Sequence, residues 1–592
     1  MSFPDRTALF LKLAVLLLLP SAHLYSQAAA RTKSIEGLWG AELRLGMPVA
    51  GTLTLDSRSG NWKASIAGYE VPAVLNENHL TFSLPAHLGS FRGHFNARSQ
   101  ALQGDWIQPG GILMDSQYAT PLNFHPDPAG VWRAEVVPLE QRVTVYVLVS
   151  SHDGKLTAAV SNPEANLFRR RLYVATQDGS RVSLAANGKQ FIGVYDQAAD
   201  TLSVKLADWL PTFDLTRRTA DDAAGFYPHV PSARQHWIYT QPIPSEDGWA
   251  VSTLANEGLD QPLIAKLIDR ILEADPSDTS LKIQSLLIAR HGHLVLDEYF
   301  YGFSPDRVHD MRSAGKTFAP VLVGLAGQQG AKLDPATLVY PLFPQSSLAN
   351  PDPRKDTMKL RDIMTMTAGN ACDDNDDASP GNEDRMQSDP QQPDWYRYTL
   401  DLPMLKQPGG GQAVYCSGDL NLVGGAVGAA THTWLPEFFE DHLARPLQFG
   451  RYYLNLMPNG EAYMGGGAYL TPRDQLKLGQ LYLAGGVWNG HRLVSKDWVA
   501  DSTTAHSRFA DDRSLGQKHE YGYGWHLHEL RSDGKIYKTF AAEGNGGQFV
   551  IVIPALDLVV GITGGAYGEF AQWYRWELEL VPQLIIPAAT SR

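Results

Sequence analysis

The chain has 592 residues, a net charge of −13, and the composition of an ordinary globular protein, with 44% hydrophobic and 19% charged residues. This length is too great for one hydrophobic core and predicts several domains. The negative charge, with no basic stripe along the sequence, argues against nucleic acid as a partner. A small-molecule or peptide-like substrate, or a cell-envelope component, is the expected partner.

The N-terminus has the pattern of an export signal, and we assign residues 1–30 to a signal peptide. Arg6 and Lys12 lead into the apolar run Leu13–Leu19, which Pro20 and a small-residue region follow. The run is too short to span a bilayer, although a retained N-terminal anchor is the alternative. The expectation is an exported protein, periplasmic or secreted after cleavage.

The next part of the chain predicts an all-β region. Short alternating segments such as Val143–Val147 and Leu202–Leu206 are separated by Gly, Asn, Asp and Pro. Gly37-Leu38-Trp39 has a counterpart in Gly130-Val131-Trp132, which indicates a repeat. We therefore expect two similar β modules, each a small barrel or sandwich, at residues 31–126 and 127–218. They either contact the cell envelope or a partner, or serve as packing appendages.

Residues 219–247 are irregular and rich in Pro, His and aromatic residues, and we interpret them as a linker to a domain at 248–592. Residues 262–272 are apolar at helical spacing and predict an amphipathic helix. Residues 285–290 and 294–300, separated by His291-Gly292-His293, predict a β-hairpin.

Ser313-Ala314-Gly315-Lys316 is the first segment with catalytic potential. If it opens a helix, residues three apart share one face, so Lys316 can take the proton of the Ser313 hydroxyl during attack on a carbonyl. Pro320 falls inside that proposed helix and is expected to kink it. The motif alone is weak, since a capping Ser followed by a surface Lys is common.

Tyr415-Cys416-Ser417 is the second such segment. Tyr415 and Ser417 point the same way from an extended segment, and a phenol near an ammonium can relay a proton between nucleophile and leaving group.

A third segment, residues 542–548, precedes the apolar strand Phe549–Ile553. Small residues at a sheet edge let a substrate lie along the backbone, where one N–H can act as an oxyanion donor. A glycine-rich turn into a hairpin is the plainer interpretation.

The order and spacing of these three segments resemble those of the serine β-lactamase and penicillin-binding-protein family, specifically its class C-like branch, from about residue 248 to the C-terminus. Tyr521-Gly522-Tyr523-Gly524-Trp525 and Gly544-Asn545-Gly546-Gly547-Gln548 add to the likeness. That branch contains carboxylesterases, D-amino-acid peptidases and amide hydrolases acting on 6-aminohexanoate oligomers. The resemblance does not extend to the β half.

The resemblance implies an α/β sandwich with an inserted helical subdomain, and a mechanism without cofactors. Ser313 would form an acyl-enzyme. Lys316 and Tyr415 would act together as general base and general acid, and Ser417 would help to hold the proton network. The N–H groups of Ser313 and Asn545 would form the oxyanion hole.

The third motif departs from the family pattern. Ala542 stands where a cation or imidazole is usual, Glu543 follows it, and Gly544 completes the motif. Losing a positive residue there argues against a carboxylate-bearing β-lactam or peptide. We expect an ester or amide whose acyl part has no required carboxylate, or one that carries a cation able to pair with Glu543.

No metal is expected. The acidic run after Cys372 lacks the spacing of a calcium loop and is interpreted as a solvated loop near the cleft. His526 and His528 lie on one strand face, but further ligands at metallohydrolase spacing do not follow in the sequence.

Two questions stay open at this stage. Cys372 and Cys416 are the only cysteines and form either a disulfide, if the chain is exported, or two buried thiols. The chain is expected to be an active serine hydrolase. The alternative is a low-turnover penicillin-binding, sensor or envelope-binding protein that keeps the fold.

Overall fold

A computed structural model describes residues 34–58, 60–96, 101–111, 116–168, 172–229, 236–275, 281–344, 348–510 and 518–591. The expected signal peptide at residues 1–30 lies outside these ranges. Across the described residues, helices that combine the length and apolar character needed to cross a bilayer are absent.

The N-terminal part is built from strands, which confirms the predicted all-β region. Their bounds are β1 (Gly37–Arg44), β2 (Gly51–Asp56), β3 (Lys63–Ile66), β4 (Tyr69–Pro72), β5 (Val74–Asn76), β6 (His79–Ser83), β7 (Ser90–Asn96), β8 (Ala101–Gln108), β9 (Gln117–Pro121), β10 (His125–Pro126), β11 (Trp132–Val136), β12 (Arg142–His152), β13 (Lys155–Ser161), β14 (Leu172–Asp178), β15 (Arg181–Ala186), β16 (Lys189–Asp196), β17 (Thr201–Val204) and β18 (Phe213–Arg218). A short 3-10 helix at Pro85–His87 is the other element of this part that the structure describes.

Strands β1 and β12 to β18 form a closed barrel. Its interior is apolar because alternate residues of β12, such as Val145 and Val147, point inward and are fully buried. Trp39 of β1 lies opposite Val147 on one side and Arg217 on the other, so β1 closes the barrel. The two expected modules are therefore not separate sheets, because β1 belongs by sequence to residues 31–126 and by pairing to residues 127–218. Without β1, two strand edges would be left unpaired.

The C-terminal part mixes strands and helices. Its strands are β19 (Ala250–Val251), β20 (Ile283–Arg290), β21 (His293–Tyr299), β22 (His309–Asp310), β23 (Tyr453–Leu456), β24 (Ala468–Leu470), β25 (Val487–Trp488), β26 (His491–Arg492), β27 (Ser507–Arg508), β28 (Glu520–Tyr521), β29 (His526–Ser532), β30 (Lys535–Gly544), β31 (Gln548–Ile553) and β32 (Leu558–Gly564).

Its α-helices are α1 (Gln261–Leu272), α2 (Phe318–Gln328), α3 (Leu360–Met364), α4 (Glu383–Ser388), α5 (Trp395–Asp401), α6 (Ser417–Thr431), α7 (Leu435–Phe439), α8 (Pro472–Leu483), α9 (Lys496–Ser502), α10 (Phe570–Arg575) and α11 (Ile586–Thr590). The 3-10 helices are Arg312–Thr317, Tyr340–Leu342, Lys355–Thr357 and Pro554–Leu556, and the π-helical segments are Glu440–Ala444 and Trp576–Ile585.

A nine-stranded sheet in the order β19-β21-β20-β32-β31-β30-β29-β28-β27 is the centre of this part. Its pairs are antiparallel except β19 with β21. One face packs against α1, α11 and the segment Trp576–Ile585, and the other against α2 and α8. The sheet is thus covered by helices on both faces, which is the α/β sandwich expected for this part of the chain.

Two local predictions are confirmed. Helix α1 matches the predicted amphipathic helix; the Asp260 carboxylate caps it by accepting from the Leu263 N–H, and Ile264 and Ile268 on its apolar face are fully buried. Strands β20 and β21 form the predicted hairpin, and His291 and Gly292 at its turn have φ of 51° and 79°. Positive φ at both turn residues is typical of a tight hairpin.

The β half also shares a sheet with the C-terminal part. The order is β22-β24-β23-β9-β8-β7-β6-β5, with Ala119 of β9 opposite Leu454 of β23. Further along the chain, the barrel connection after β13 contacts the central sheet, because Lys282 Nζ donates to the Asn162 carbonyl at 3.0 Å. The β half is therefore joined to the C-terminal part through backbone pairing and buried polar contacts.

Candidate active site

Ser313 and Lys316 lie side by side in the structure. Lys316 Nζ donates a hydrogen bond to Ser313 Oγ at 3.0 Å. The segment Arg312–Thr317 is a 3-10 helix, in place of the expected start of an α-helix. Residues three apart eclipse each other in a 3-10 helix, so this geometry aligns the two side chains more directly.

The change from 3-10 to α geometry explains why Pro320 is accommodated. Helix α2 begins at Phe318, so Pro320 lies in its first turn. N–H groups in the first turn of a helix lack intrahelical partners, and a proline there has little to disrupt. The expected kink in a continuous helix through Pro320 is therefore replaced by a junction between two helix types.

Backbone strain precedes the serine. Arg312 has φ of 49°, a left-handed conformation that side chains other than glycine rarely adopt. Asp310 holds it in place, because its carboxylate accepts from the Arg312 N–H at 2.8 Å and pairs with the Arg312 guanidinium at 2.8 Å. Strain of this kind persists only where the surroundings enforce it, and here it fixes the direction in which Ser313 leaves the backbone.

Lys316 is buried but remains charged. Burial by itself lowers the pKa of Lys316, but the nearby negative charge of Tyr415, Glu383 and Asp374 outweighs it and raises the pKa overall. A lysine with a raised pKa holds its proton near neutral pH. In the resting arrangement Lys316 is therefore a hydrogen-bond donor to Ser313, not yet a base.

Tyr415 is placed to act together with Lys316. Lys316 Nζ lies 5.1 Å from the centre of the Tyr415 ring, and the charge interaction between the two side chains is one of the influences that raise the pKa of Lys316. The ring also packs beside Phe509, with 5.9 Å between ring centres. A phenol this close to an ammonium can relay a proton, so the pair can supply a base for Ser313 through Tyr415.

Ser417 is the first residue of α6 and contacts a residue that the sequence interpretation did not select. Ser417 Oγ and the Ser417 N–H both donate to Asp374 Oδ2, each at 2.7 Å. A disulfide between Cys372 and Cys416 ties the two segments together, with the Cα atoms 5.5 Å apart. The Asp374 loop thus lies directly against the Tyr415-Cys416-Ser417 segment.

Asp374 is an acid with an altered affinity for protons. Burial and the neighbouring Glu383 raise the pKa of Asp374 to about 6, against the opposing effects of Lys316 and Ser417. The sequence predicts a solvated loop near the cleft for Asp374; the structure places it against Ser417 and close enough to Lys316 for their charges to interact. The sequence does hold one signal for this position: Asp374 lies two residues after Cys372. Pairing of Cys372 with Cys416 brings the Asp374 loop to Ser417.

The third segment reaches the site from the end of β30. Glu543 and Asn545 line the cavity next to Ser313. Ala542 instead is fully buried in the apolar core between the sheet and helix α2. Because side chains alternate along a strand, Ala542 points away from its neighbour Glu543, which speaks against its expected place at the substrate edge.

Glu543 and Gly544 have defined neighbours in the structure. Glu543 Oε1 lies 2.6 Å from His528 Nε2, so the carboxylate expected to receive a substrate cation already has a protein partner. Gly544 lies directly against the serine segment, where an added Cβ would be 2.2 Å from the Met311 carbonyl oxygen.

These elements surround a cavity of about 430 Å³. Ser313 and Tyr415 line the cavity, and acidic side chains in its wall outnumber basic ones. The acidic residues are Asp310, Asp374, Glu383, Asp384 and Glu543, with Arg312 as a cation. Ser116, just before β9, also lines the cavity, so the β half contributes to its wall. The sequence carried no signal for that residue.

The layered sheet brings Ser313, Lys316 and Tyr415 together, as the resemblance implied. A family model described as Beta-lactamase matches residues 268–570, just over half of the chain, and the protein belongs to this family.

A curated relative is the 6-aminohexanoate-dimer hydrolase of Paenarthrobacter ureafaciens, which is 27% identical over 235 residues. The match covers 38% of this chain and 58% of that relative's length.

Similar solved structures include a penicillin-binding protein homologue from Caulobacter crescentus, with 13% identity and a TM-score of 0.41, covering 53% of this chain and 95% of that one. Another is a penicillin-binding protein from Bacillus halodurans, with 17% identity and a TM-score of 0.39, covering 50% and 97%. Family membership rests on the family model.

Proposed function

We propose that this protein is an exported serine hydrolase that cleaves an ester or amide through an acyl-enzyme on Ser313. The observation that carries the proposal is the 3.0 Å hydrogen bond between Lys316 Nζ and Ser313 Oγ, which borders an open cavity with Tyr415 on its wall. A serine needs such neighbours because its hydroxyl is a weak nucleophile at neutral pH.

The mechanism uses only protein groups. Tyr415, held beside the Lys316 ammonium, takes the proton as Ser313 Oγ attacks the carbonyl carbon. The N–H groups of Ser313 and Asn545 stabilise the oxyanion. Tyr415 then returns the proton to the leaving alcohol or amine. Water attacks the acyl-enzyme by the reverse proton path and releases the acid.

The acidic lining of the cavity favours a substrate without a carboxylate near the scissile bond. Asp374 and Glu383 would repel such a group, whereas a neutral or amine-bearing acyl part would be accepted. At a partly buried site, the interaction energy between two neighbouring charges is at least about 1.4 kcal/mol. This energy corresponds to about tenfold in rate.

Hydrolysis of p-nitrophenyl esters tests the proposal. The wild-type protein is expected to turn over and to react with a fluorophosphonate probe, and Ser313→Ala is expected to lose both by at least about a thousandfold. Ser203→Ala is the matched control, because the Ser203 hydroxyl donates to Asp214 on the barrel. Full activity in Ser313→Ala would overturn the proposal, and labelling without turnover would favour a protein that traps its ligand.

The substrate preference needs a panel. Nitrocefin, short-chain esters, D-alanyl amides and linear amide oligomers separate the main classes. Within one class, p-nitrophenyl esters of an aminohexanoic acid and of a dicarboxylic acid of similar length differ only in end charge. We expect kcat/KM to favour the amine by at least about tenfold. A preference for the carboxylate would contradict the charge argument.

A further inference from the structure

A cluster of imidazoles and carboxylates lies behind one wall of the cavity. His526 and His528 project from the same face of β29, with ring planes 7° apart and centres separated by 6.4 Å. Glu543 comes from β30 and Glu577 from the π-helical segment Trp576–Ile585. His528, Glu543 and Glu577 have exposed fractions of 5%, 3% and 0%. Two adjacent strands and a later helical segment thus converge on one buried point.

The candidate ligand atoms of this cluster lie close together. His528 Nε2 is 2.6 Å from Glu543 Oε1 and 3.7 Å from Glu577 Oε2, and one ligand atom from each residue lies within 4.8 Å of the others. Ligands held at about 2.0 to 2.2 Å from one ion must lie within about 4.4 Å of each other. Small side-chain rotations would bring all three atoms within that limit. Binding of an ion would replace the hydrogen bond between His528 Nε2 and Glu543 Oε1, and Nε2 must then be unprotonated.

Charge favours a cation at this point. Two carboxylate oxygens within 4.8 Å of each other in the protein interior repel each other. A divalent ion neutralises both carboxylates and uses the imidazole as a donor. We propose that His528, Glu543 and Glu577 form a binding site for a divalent transition-metal ion.

The neighbouring histidines lie between this site and the cavity. His519 Nε2 is 2.8 Å from His526 Nδ1, and His526 Nδ1 is 3.9 Å from Glu543 Oε1. His519, His526 and Glu543 all line the cavity. The cavity side is thus where a water molecule or a substrate group would complete a coordination sphere that has three protein ligands.

The donor set selects the type of ion. One imidazole nitrogen and two carboxylate oxygens suit Zn²⁺, Co²⁺ or Mn²⁺, whereas Ca²⁺ requires six to eight oxygen ligands. The sequence predicts no zinc site because further ligands do not follow His526 and His528 at metallohydrolase spacing. The two carboxylates instead come from a neighbouring strand and from a helical segment close to the C-terminus.

Metal binding to the full chain tests the proposal directly. The protein is stripped with a chelator and titrated with Zn²⁺ by calorimetry and with Co²⁺ by visible absorption. One ion per chain is expected, with the absorption of four-coordinate Co²⁺ and a higher melting temperature in Zn²⁺. His528→Gln and Glu577→Gln are expected to weaken binding at least about tenfold and to abolish the stabilisation by Zn²⁺.

Two control variants make the test specific. His291 and His293 lie 2.9 and 3.3 Å from Glu257 at a turn and are the place where adventitious metal would collect, so His291→Ala/His293→Ala should leave the single-site binding unchanged. Ser313→Ala should bind Zn²⁺ like the wild type. The metal-site proposal is therefore tested separately from the proposed hydrolase activity. Loss of binding in the surface variant would overturn the proposal. If His528→Gln and Glu577→Gln do not fold, the wild-type Co²⁺ spectrum decides, and its absence overturns the site.

Discussion

Ser417 Oγ donates to Asp374 Oδ2 at 2.7 Å, which links the second catalytic segment to an acid whose pKa is raised to about 6. Asp374 also helps to hold the proton on Lys316, because its negative charge is one of the influences that raise the lysine pKa. Ser417 therefore acts on the Ser313–Lys316 pair through Asp374. The contact with Asp374 is the route by which Ser417 can hold the proton network, as the resemblance implied.

The first prediction concerns the pH dependence of turnover. Protonation of Asp374 removes a negative charge that stabilises the buried Lys316 ammonium and weakens the hydrogen bonds that hold Ser417, so kcat/KM for a p-nitrophenyl ester should fall below about pH 6. The hydrogen bonds from Ser417 lower the pKa of Asp374, so Ser417→Ala should move this acidic limb to higher pH. Asp374→Asn should remove the limb and reduce activity at neutral pH. A limb that persists unchanged in Asp374→Asn would assign it to another group.

The raised pKa of Asp374 also predicts how its contribution to stability changes with pH. Its folded-state pKa of about 6 lies above the ordinary value of 3.8, so the folded protein binds this proton more tightly than the unfolded chain does. The contribution of Asp374 to stability is therefore present at low pH and is lost as the pH rises through about 6. We expect the melting temperature of Asp374→Asn to rise relative to wild type between about pH 4 and pH 7. A constant difference would contradict the raised pKa.

The close approach of β30 to the serine segment gives the next prediction. In Gly544→Ala the new methyl group would be 2.2 Å from the Met311 carbonyl and 3.0 Å from the Ala314 nitrogen. Either β30 or the 3-10 helix must move, and we expect at least about a hundredfold loss of kcat, since shifts near 1 Å have that effect. Gly428→Ala in α6 is the control, because the added Cβ meets only the Thr433 carbonyl at 3.6 Å and alanine favours a helix. Normal kcat in Gly544→Ala would show that the contact is not needed.

The sequence predicts local chemistry well and long-range pairing poorly. Ser313 with Lys316, helix α1 and the β20–β21 hairpin follow from spacings within a few residues, where backbone geometry fixes the outcome. The closure of the barrel by β1 and the pairing of β9 with β23 depend on strands hundreds of residues apart, which no local pattern specifies. Asp374 and Ser116 were missed for the same reason, because their roles arise only when distant segments meet.

The sheet shared by β9 and β23 predicts that the β half supports catalysis. Tyr118 of β9 packs edge-on against Tyr469 of β24, with 5.7 Å between ring centres, and β24 pairs with β22 just before Ser313. Tyr118→Ala should cost about 3 to 5 kcal/mol of stability and also lower kcat per folded molecule. Tyr173→Ala is the control, since Tyr173 is equally buried but lies in the barrel core. It should lose stability while retaining kcat; equal losses of kcat would mean that β9 has no special connection to the site.

The disulfide gives the last prediction. Cys372 and Cys416 close a loop of 44 residues, and opening it should release about 4 kcal/mol of chain entropy in the unfolded state. The loop carries Asp374, and Cys416 lies between Tyr415 and Ser417, so reduction should loosen the Ser417–Asp374 hydrogen bond as well as lower the melting temperature. We expect Cys372→Ser/Cys416→Ser to melt lower and to show the same upward shift of the acidic limb as Ser417→Ala. Dithiothreitol should produce both effects in the wild type. It should cause no further change in the double variant, which has no disulfide to reduce. Unchanged melting and turnover in dithiothreitol, with reduction verified by thiol titration, would show that the bridge does not hold the site in place.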